Sequence, residues 1–181
     1  GRKIGKQAIA YGGTALLGGL AYKAWRDWQQ GKQVAASTDP TLTAPPADSP
    51  FVPHLGQEQQ LNRALLRAMV AAAKADGEID ELEQRRILQH LERDNVDNDD
   101  RAFVQQLLHE PADIEAVVRE ARCPETAAEL YAASLIAIDP TRPAERGYLT
   151  MLAARLGLDQ ALVDHLQATV AQAKDYAASV R

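Results

Sequence analysis

Residues 73–83, with the sequence Ala-Lys-Ala-Asp-Gly-Glu-Ile-Asp-Glu-Leu-Glu, form an acidic segment between two stretches of helical periodicity. A related segment, Asp-Pro-Thr-Arg-Pro-Ala-Glu over residues 139–145, begins 63 positions after Asp76 and again separates two helix-like stretches. Each copy places an aspartate where one helix stops and a glutamate in the first turn of the next. The chain is therefore predicted to contain a repeated unit of helix, acidic turn and helix.

The rest of the chain has the composition of a helical protein. Apolar residues make up 46% of the 181 residues and aromatic residues only 5%, so the core must be built mainly from alanine, leucine, valine and isoleucine. From residue 57 onwards apolar residues recur at helical spacing, and no segment alternates as a half-buried strand would. We predict an all-α fold: a compact bundle of about seven helices with pseudo-repeated helix–acidic turn–helix units, plus a separate N-terminal Gly-rich helix.

Residues with known preferences mark the expected helix ends. Asp97 and Asp159 suit the N-cap, and Pro124 and Pro143 suit the first turn, where the amide would have no partner within the helix. Gly157 suits the left-handed position that closes a helix. These signals predict four helix starts, at Asp97, Pro124, Pro143 and Asp159, and one helix end at Gly157.

Proline content divides the chain into three parts. Residues 33–56 hold five of the nine prolines, and such a segment is expected to be extended and to contribute no apolar stripe to a core. We therefore predict a basic Gly-rich head helix over residues 1–32, a Pro-rich linker over 33–56 and a helical domain over 57–181.

The head differs from the domain in charge. Residues 1–32 carry a net charge of +5 and residues 33–181 a net charge of −10, which argues against nucleic-acid binding by the domain. Residues 7–22 are uncharged and are followed by Trp25 and Trp28. Three alternatives are open for this segment: membrane insertion or surface association, a soluble helix that self-associates or docks on the domain, and a signal-peptide remnant.

Two alternatives are also open for the acidic turns. In the first, their carboxylates are helix caps: Asp80 with Glu83 forms a capping box, and Asp139 caps the turn that leads to Pro143. In the second, the carboxylates of the two turns converge on a hard divalent cation, because clustered carboxylates repel one another unless a cation lies between them. Duplication of the turn favours the second alternative, since capping does not require the two turns to match.

Other chemistry lacks its sequence signature. An EF-hand loop starting at Asp76 would need glycine at its sixth position and glutamate at its twelfth, where the chain has Glu81 and Ile87. The four histidines show no zinc or di-iron spacing, and no glycine-rich phosphate loop follows a strand. The chain is therefore expected not to be an enzyme, and a hydrolase using paired carboxylates is kept only as a third hypothesis.

Residues 73–83, together with the second acidic turn and the following Tyr-Leu-x-x-Leu-Ala-x-x-Leu-Gly-Leu over residues 148–158, resemble the TerB-like (tellurite resistance) superfamily. The glycine-rich head with Tyr-Lys-Ala-Trp at 22–25 and the Pro-rich linker is similar to its YebE-like branch of bacterial inner-membrane proteins of unknown function. The resemblance implies an all-α, pseudo-symmetric domain whose acidic turns bind a divalent metal. It also implies association with the cytoplasmic membrane and a role in envelope or metal stress.

The resemblance assigns metal ligands residue by residue. They are Asp76 and Glu83 in the first turn and Asp139 and Glu145 in the second, with calcium or magnesium as the expected ion. The second turn departs from the first, because it spans six positions from Asp to Glu instead of seven and has Pro140 in place of the glycine.

We expect a non-enzymatic, membrane-tethered helical module that binds a divalent cation through its duplicated acidic turns. It would lie at the inner membrane with its main domain in the cytoplasm. Its partners would be the membrane surface or bilayer, contacted by the N-terminal segment, and a protein partner or further copies of the chain, but no nucleic acid. The alternative is a purely structural interaction or oligomerisation protein in which the acidic turns act only as helix caps.

Overall fold

A computed structural model describes residues 13–34, 42–77, 79–93 and 96–179. Within these ranges there are eight α-helices and no strands. In chain order they are α1 (Gly13–Gln29), α2 (Glu58–Ala73), α3 (Glu81–Arg93), α4 (Asn98–His109), α5 (Ile114–Arg119), α6 (Pro124–Ala137), α7 (Pro143–Leu156) and α8 (Gln160–Ser179). The all-α prediction is confirmed, and α2 to α8 are the seven helices expected from residue 57 onwards.

The helix ends form where the sequence predicts them. The Asp97 carboxylate accepts a hydrogen bond of 2.7 Å from the amide of Asp99 and so caps α4. Pro124 and Pro143 lie in the first turns of α6 and α7. Gly157 ends α7 with φ of 67°, in the left-handed region that glycine adopts without steric cost.

Helix α6 is the centre of the bundle. Ten of its fourteen residues are buried, and the buried residues lie on all sides of the helix, as expected of a helix at the centre of a core. It packs against α1, α2, α7 and α8, and its alanines allow these neighbours to approach closely. A smaller cluster around Leu66, Ile79, Val104 and Leu108 holds α2, the first acidic turn and α4 together.

Helix α1 differs from the separate head helix that was predicted. Its described part packs against α8, α6 and α2, and four of its side chains are at most 1% exposed: Leu17, Leu20, Ala21 and Ala24. Their spacing of three, one and three positions makes an apolar stripe on one helix face, and that stripe explains the docking. The arrangement is the docked alternative, in which the helix lies on the domain.

The linker also contributes to the core, contrary to expectation. Phe51 is 4% exposed and packs edge-on against Tyr22 and Trp25 of α1, with ring centroids 5.8 Å apart in both pairs. Among the helices described, none is both long enough and apolar enough to cross a bilayer.

Candidate functional site

The packing of α2 on α6 brings the two acidic turns to the same end of the bundle. The Ser134 hydroxyl of α6 lies 3.5 Å from the carbonyl oxygen of Ala68 in α2, and both residues are close to the C-terminal ends of their helices. Beyond those ends the chain enters the two turns, the first through Gly77, whose φ of 136° suits glycine. The turns are therefore neighbours because the helices before them run side by side.

The guanidinium of Arg142 lies between carboxylates of the two turns. Its Nη1 is 3.7 Å from Oδ2 of Asp76 and 3.9 Å from Oε1 of Glu145. The two carboxylate oxygens are thus no more than 7.6 Å apart, the sum of these distances. Arg142 therefore supplies the positive charge that the carboxylates of Asp76 and Glu145 require, and the Arg142 side chain is 49% exposed.

The second turn uses its carboxylates as caps. Glu145, which is 3% exposed, accepts a 2.8 Å hydrogen bond at Oε2 from the backbone amide of Asp139. Asp139 in turn accepts from the amide (3.0 Å) and the hydroxyl (2.7 Å) of Thr141 at Oδ1. These two bonds from Thr141 lower the pKa of the Asp139 carboxyl. The contacts agree with the capping alternative for this turn.

A lysine lies beside each turn and caps the end of a helix. The ammonium of Lys174 donates to the carbonyls of Leu135 and Ile138 at the C-terminus of α6, at 2.6 Å in each case. Burial lowers the pKa of Lys174, while the charges of Asp139 and Glu145 oppose that shift. Beside the first turn, Lys74 donates to carbonyls at the end of α4. Both lysines satisfy carbonyls that a helix end leaves without partners.

The structure brings together three of the four predicted ligands: Asp76, Asp139 and Glu145. Glu83 lies in the first turn of α3, but its side chain is outside the described part of the structure. Within residues 13–34, 42–77, 79–93 and 96–179, no three His, Cys, Asp or Glu side chains form a group that could hold a metal ion. The role of Arg142 was not predicted from the sequence, although this residue stands inside the second acidic segment.

A cavity of about 430 Å³ lies between α2 and the segment after α4. Two cations, Arg67 and Lys74, line it, with Glu110 and Asp113 from the facing segment. Arg67 stacks on Phe103 with 5.5 Å between its guanidinium carbon and the ring centroid. It also lies 3.9 Å from a Glu120 carboxylate oxygen. Both cations thus have contacts within the protein that explain their position.

A family described as "Protein of unknown function (DUF533)" matches residues 1–170. The chain belongs to this family. DUF533 is a TerB-like family, so the resemblance seen in the acidic turns is confirmed at the level of the superfamily. The match includes the head and the linker as well as most of the helical domain.

The DUF533 chain is also similar to a protein of Yersinia enterocolitica described as "Uncharacterized protein in ampR 5'region". The two sequences are 30% identical over 126 residues, which cover 67% of this chain and 91% of the relative. No solved structure matches.

Proposed function

We propose that this DUF533 chain is a non-catalytic helical module of the YebE-like branch and that it attaches to the anionic cytoplasmic face of the inner membrane through its head. The observation that carries the proposal is the separation of charge: +5 over residues 1–32 and −10 over residues 33–181. An anionic surface attracts the head and repels the domain. Attachment would therefore orient the molecule with its head towards the lipid.

The side chains of α1 support a role at a lipid surface. Its C-terminal half carries both tryptophans of the chain, Trp25 and Trp28, a residue type enriched at membrane interfaces. Arg26 is 33% exposed, and Lys32, just after the helix, is 54% exposed. Each basic residue near an anionic surface contributes about 1 kcal/mol to attachment. The six basic residues of the head thus supply a substantial electrostatic attraction.

In this proposal the two acidic turns have a structural role only, and together they are called the junction. The support is the position of Arg142 between Asp76 and Glu145 and the hydrogen bonds of Glu145 and Asp139 within the second turn. The same contacts favour a second candidate, in which the protein has a purely structural role in interaction or oligomerisation and needs no lipid. The two candidates share the junction and differ in what the head contacts.

Binding of a divalent cation is a separate proposal for the same turns. Calcium or magnesium would have to displace the guanidinium of Arg142 in order to reach Asp76 and Glu145 together, since its Nη1 is within 4 Å of both. Removing that guanidinium is therefore the informative change. Under the junction proposal the unmodified protein has no stabilising response to either ion.

Vesicle flotation tests membrane attachment. The full chain should float with vesicles containing an anionic lipid and remain at the bottom with vesicles of neutral lipid alone. A variant in which Arg2, Lys3 and Lys6 are replaced by glutamine should float less. The matched control replaces three exposed arginines of the domain, Arg119, Arg122 and Arg155, and so removes the same number of charges. Equal flotation of the two variants, or none by the full chain, would favour the structural candidate.

A further inference from the structure

A buried glutamate lies in the middle of the central helix α6. Glu129 of α6 is 1% exposed, and neither of its carboxylate oxygens has a hydrogen-bond partner among the described residues. An ionised carboxylate in such a position loses its hydration without compensation, which is among the most costly arrangements in a protein interior. Retaining a glutamate there calls for an explanation beyond packing, because an apolar residue would serve packing better.

The carboxyl of Glu129 lies against the backbone of α1 at Gly18. A Cβ atom added at Gly18 of α1 would lie 3.4 Å from Oε1 of Glu129 and 3.1 Å from the carbonyl oxygen of Phe51. Glycine therefore allows the α1 backbone to lie against the carboxyl. Movement of α1 away from the domain would open this contact to water.

We propose that Glu129 is a proton-dependent latch for α1: the helix is docked while the Glu129 carboxyl is protonated and is released when it ionises. The released helix would present Leu17, Leu20, Ala21 and Ala24 to a lipid surface. This contact with lipid rests on the proposed function, and it would make membrane attachment depend on pH. The latch itself requires no lipid.

The charges around Glu129 do not compensate for its burial. Besides Glu129, the ionisable side chains that are buried or half-buried on α6 and on the helices packed against it are the following: Glu125 and Tyr131 of α6; Tyr22, Lys23, Arg26 and Asp27 of α1; Arg63 and Arg67 of α2, with Lys74 just after that helix; Glu145 and Tyr148 of α7; and His165 and Lys174 of α8.

Three of these cations have partners of their own. Lys23 pairs with Asp27 at 3.0 Å, Arg67 lies 3.9 Å from Glu120, and Lys174 donates to two carbonyls at the end of α6. Burial accordingly raises the pKa of Glu129 to about 8, and the charge of Glu125, four positions earlier on the same helix, adds to the rise.

Docking of α1 is therefore linked to proton binding. In the released state the carboxyl is hydrated and has its ordinary pKa of 4.5, whereas in the docked state its pKa is about 8. A raised pKa means that docking is favoured fully below the lower value and is progressively lost as the pH rises towards the higher one. Between pH 6 and pH 8 the equilibrium constant for docking should fall about fiftyfold.

Hydrogen exchange of the full chain, without lipid and corrected for the intrinsic pH dependence of exchange, tests the latch. Protection of the backbone amides of residues 13–29 against exchange should fall between pH 6 and pH 8, while the amides of α2 and α6 remain protected. The emission of Trp25 and Trp28 should follow the same pH dependence, because both residues lie on α1. Glu129→Gln removes the ionisation and should keep α1 protected at both pH values. Glu125→Gln, the same change four positions earlier, should retain the dependence.

A second variant and a direct titration test the latch independently, in case Glu129→Gln does not fold. Gly18→Leu fills the contact between α1 and Glu129 and should leave α1 unprotected at both pH values. In the unmodified chain, the carboxyl carbon signal of Glu129 should titrate well above those of exposed glutamates. An ordinary titration would overturn the latch, as would a pH dependence that survives in Glu129→Gln or a loss of protection spread equally over all helices. Failure of vesicle flotation alone would instead overturn only the proposed membrane attachment.

Discussion

Replacing Leu17 by alanine should weaken the docking of α1 substantially. Leu17 is 1% exposed and belongs to the core cluster through which α1 packs against the domain. Truncating a buried leucine to alanine costs about 2–5 kcal/mol, because apolar contact is lost and a cavity remains. Leu55, in the segment before α2, is 97% exposed, so the same substitution there should cost almost nothing. The pair isolates the effect of burial from that of the chemical change.

Urea unfolding at pH 6, where α1 is docked, provides the assay. Tryptophan emission reports on α1, since Trp25 and Trp28 are the only tryptophans in the chain. The midpoint of this transition should move to lower urea in Leu17→Ala by an amount equivalent to about 3 kcal/mol, and the Leu55→Ala midpoint should coincide with that of the unmodified protein. Equal midpoints for the two variants would refute the docking of α1 and would support the separate head helix predicted from the sequence.

The junction gives three further predictions. Asp139→Ala should lower the melting temperature at neutral pH; because the pKa of Asp139 is lowered from 3.8, this difference should vanish as the pH falls well below that value. Lys174→Met should cost about 1–3 kcal/mol in urea unfolding, since it leaves carbonyls of α6 unpaired, whereas Lys32→Met at an exposed site should cost much less. Millimolar calcium or magnesium should leave the melting temperature of the unmodified protein unchanged but raise that of Arg142→Gln. A rise in the unmodified protein that Asp76→Asn abolishes would instead support cation binding by the native turns.

Most of the helical architecture could be predicted from local signals. A proline in the first turn, an aspartate at an N-cap and a glycine after the last turn act through backbone geometry and hydrogen bonding over a few residues. They therefore appear in the sequence whatever the tertiary packing is. Pro124, Pro143, Asp97 and Gly157 each marked a helix end correctly.

The position of α1 was harder to predict because two patterns overlap in the same segment. The glycines and the uncharged run favoured a membrane environment, whereas the stripe formed by Leu17, Leu20, Ala21 and Ala24 favoured docking. The stripe could have been found by its helical spacing. What the sequence alone does not contain is the surface that receives it, which α6 and α8 form only after they have packed.

The candidate site could be predicted only in part, again because the positions of side chains depend on how the helices pack. The neighbourhood of the turns followed from their repetition, but the identity of the cation between them depended on where the Arg142 side chain points after α2 and α6 have packed. Glu129 was missed because a charged residue on a helix usually faces water, and its burial, with α1 against its carboxyl, is evident only after the helices have packed.

Quenching of tryptophan emission by brominated lipid tests the central claim most directly, because it reports contact between α1 and the lipid itself. Trp25 and Trp28 both lie on α1, so no other part of the chain contributes to the signal. With anionic vesicles containing a lipid brominated near its headgroup end, the emission of the full chain should be quenched, and more strongly at pH 8 than at pH 6. Emission that is unchanged by the brominated lipid at both pH values would contradict attachment through α1.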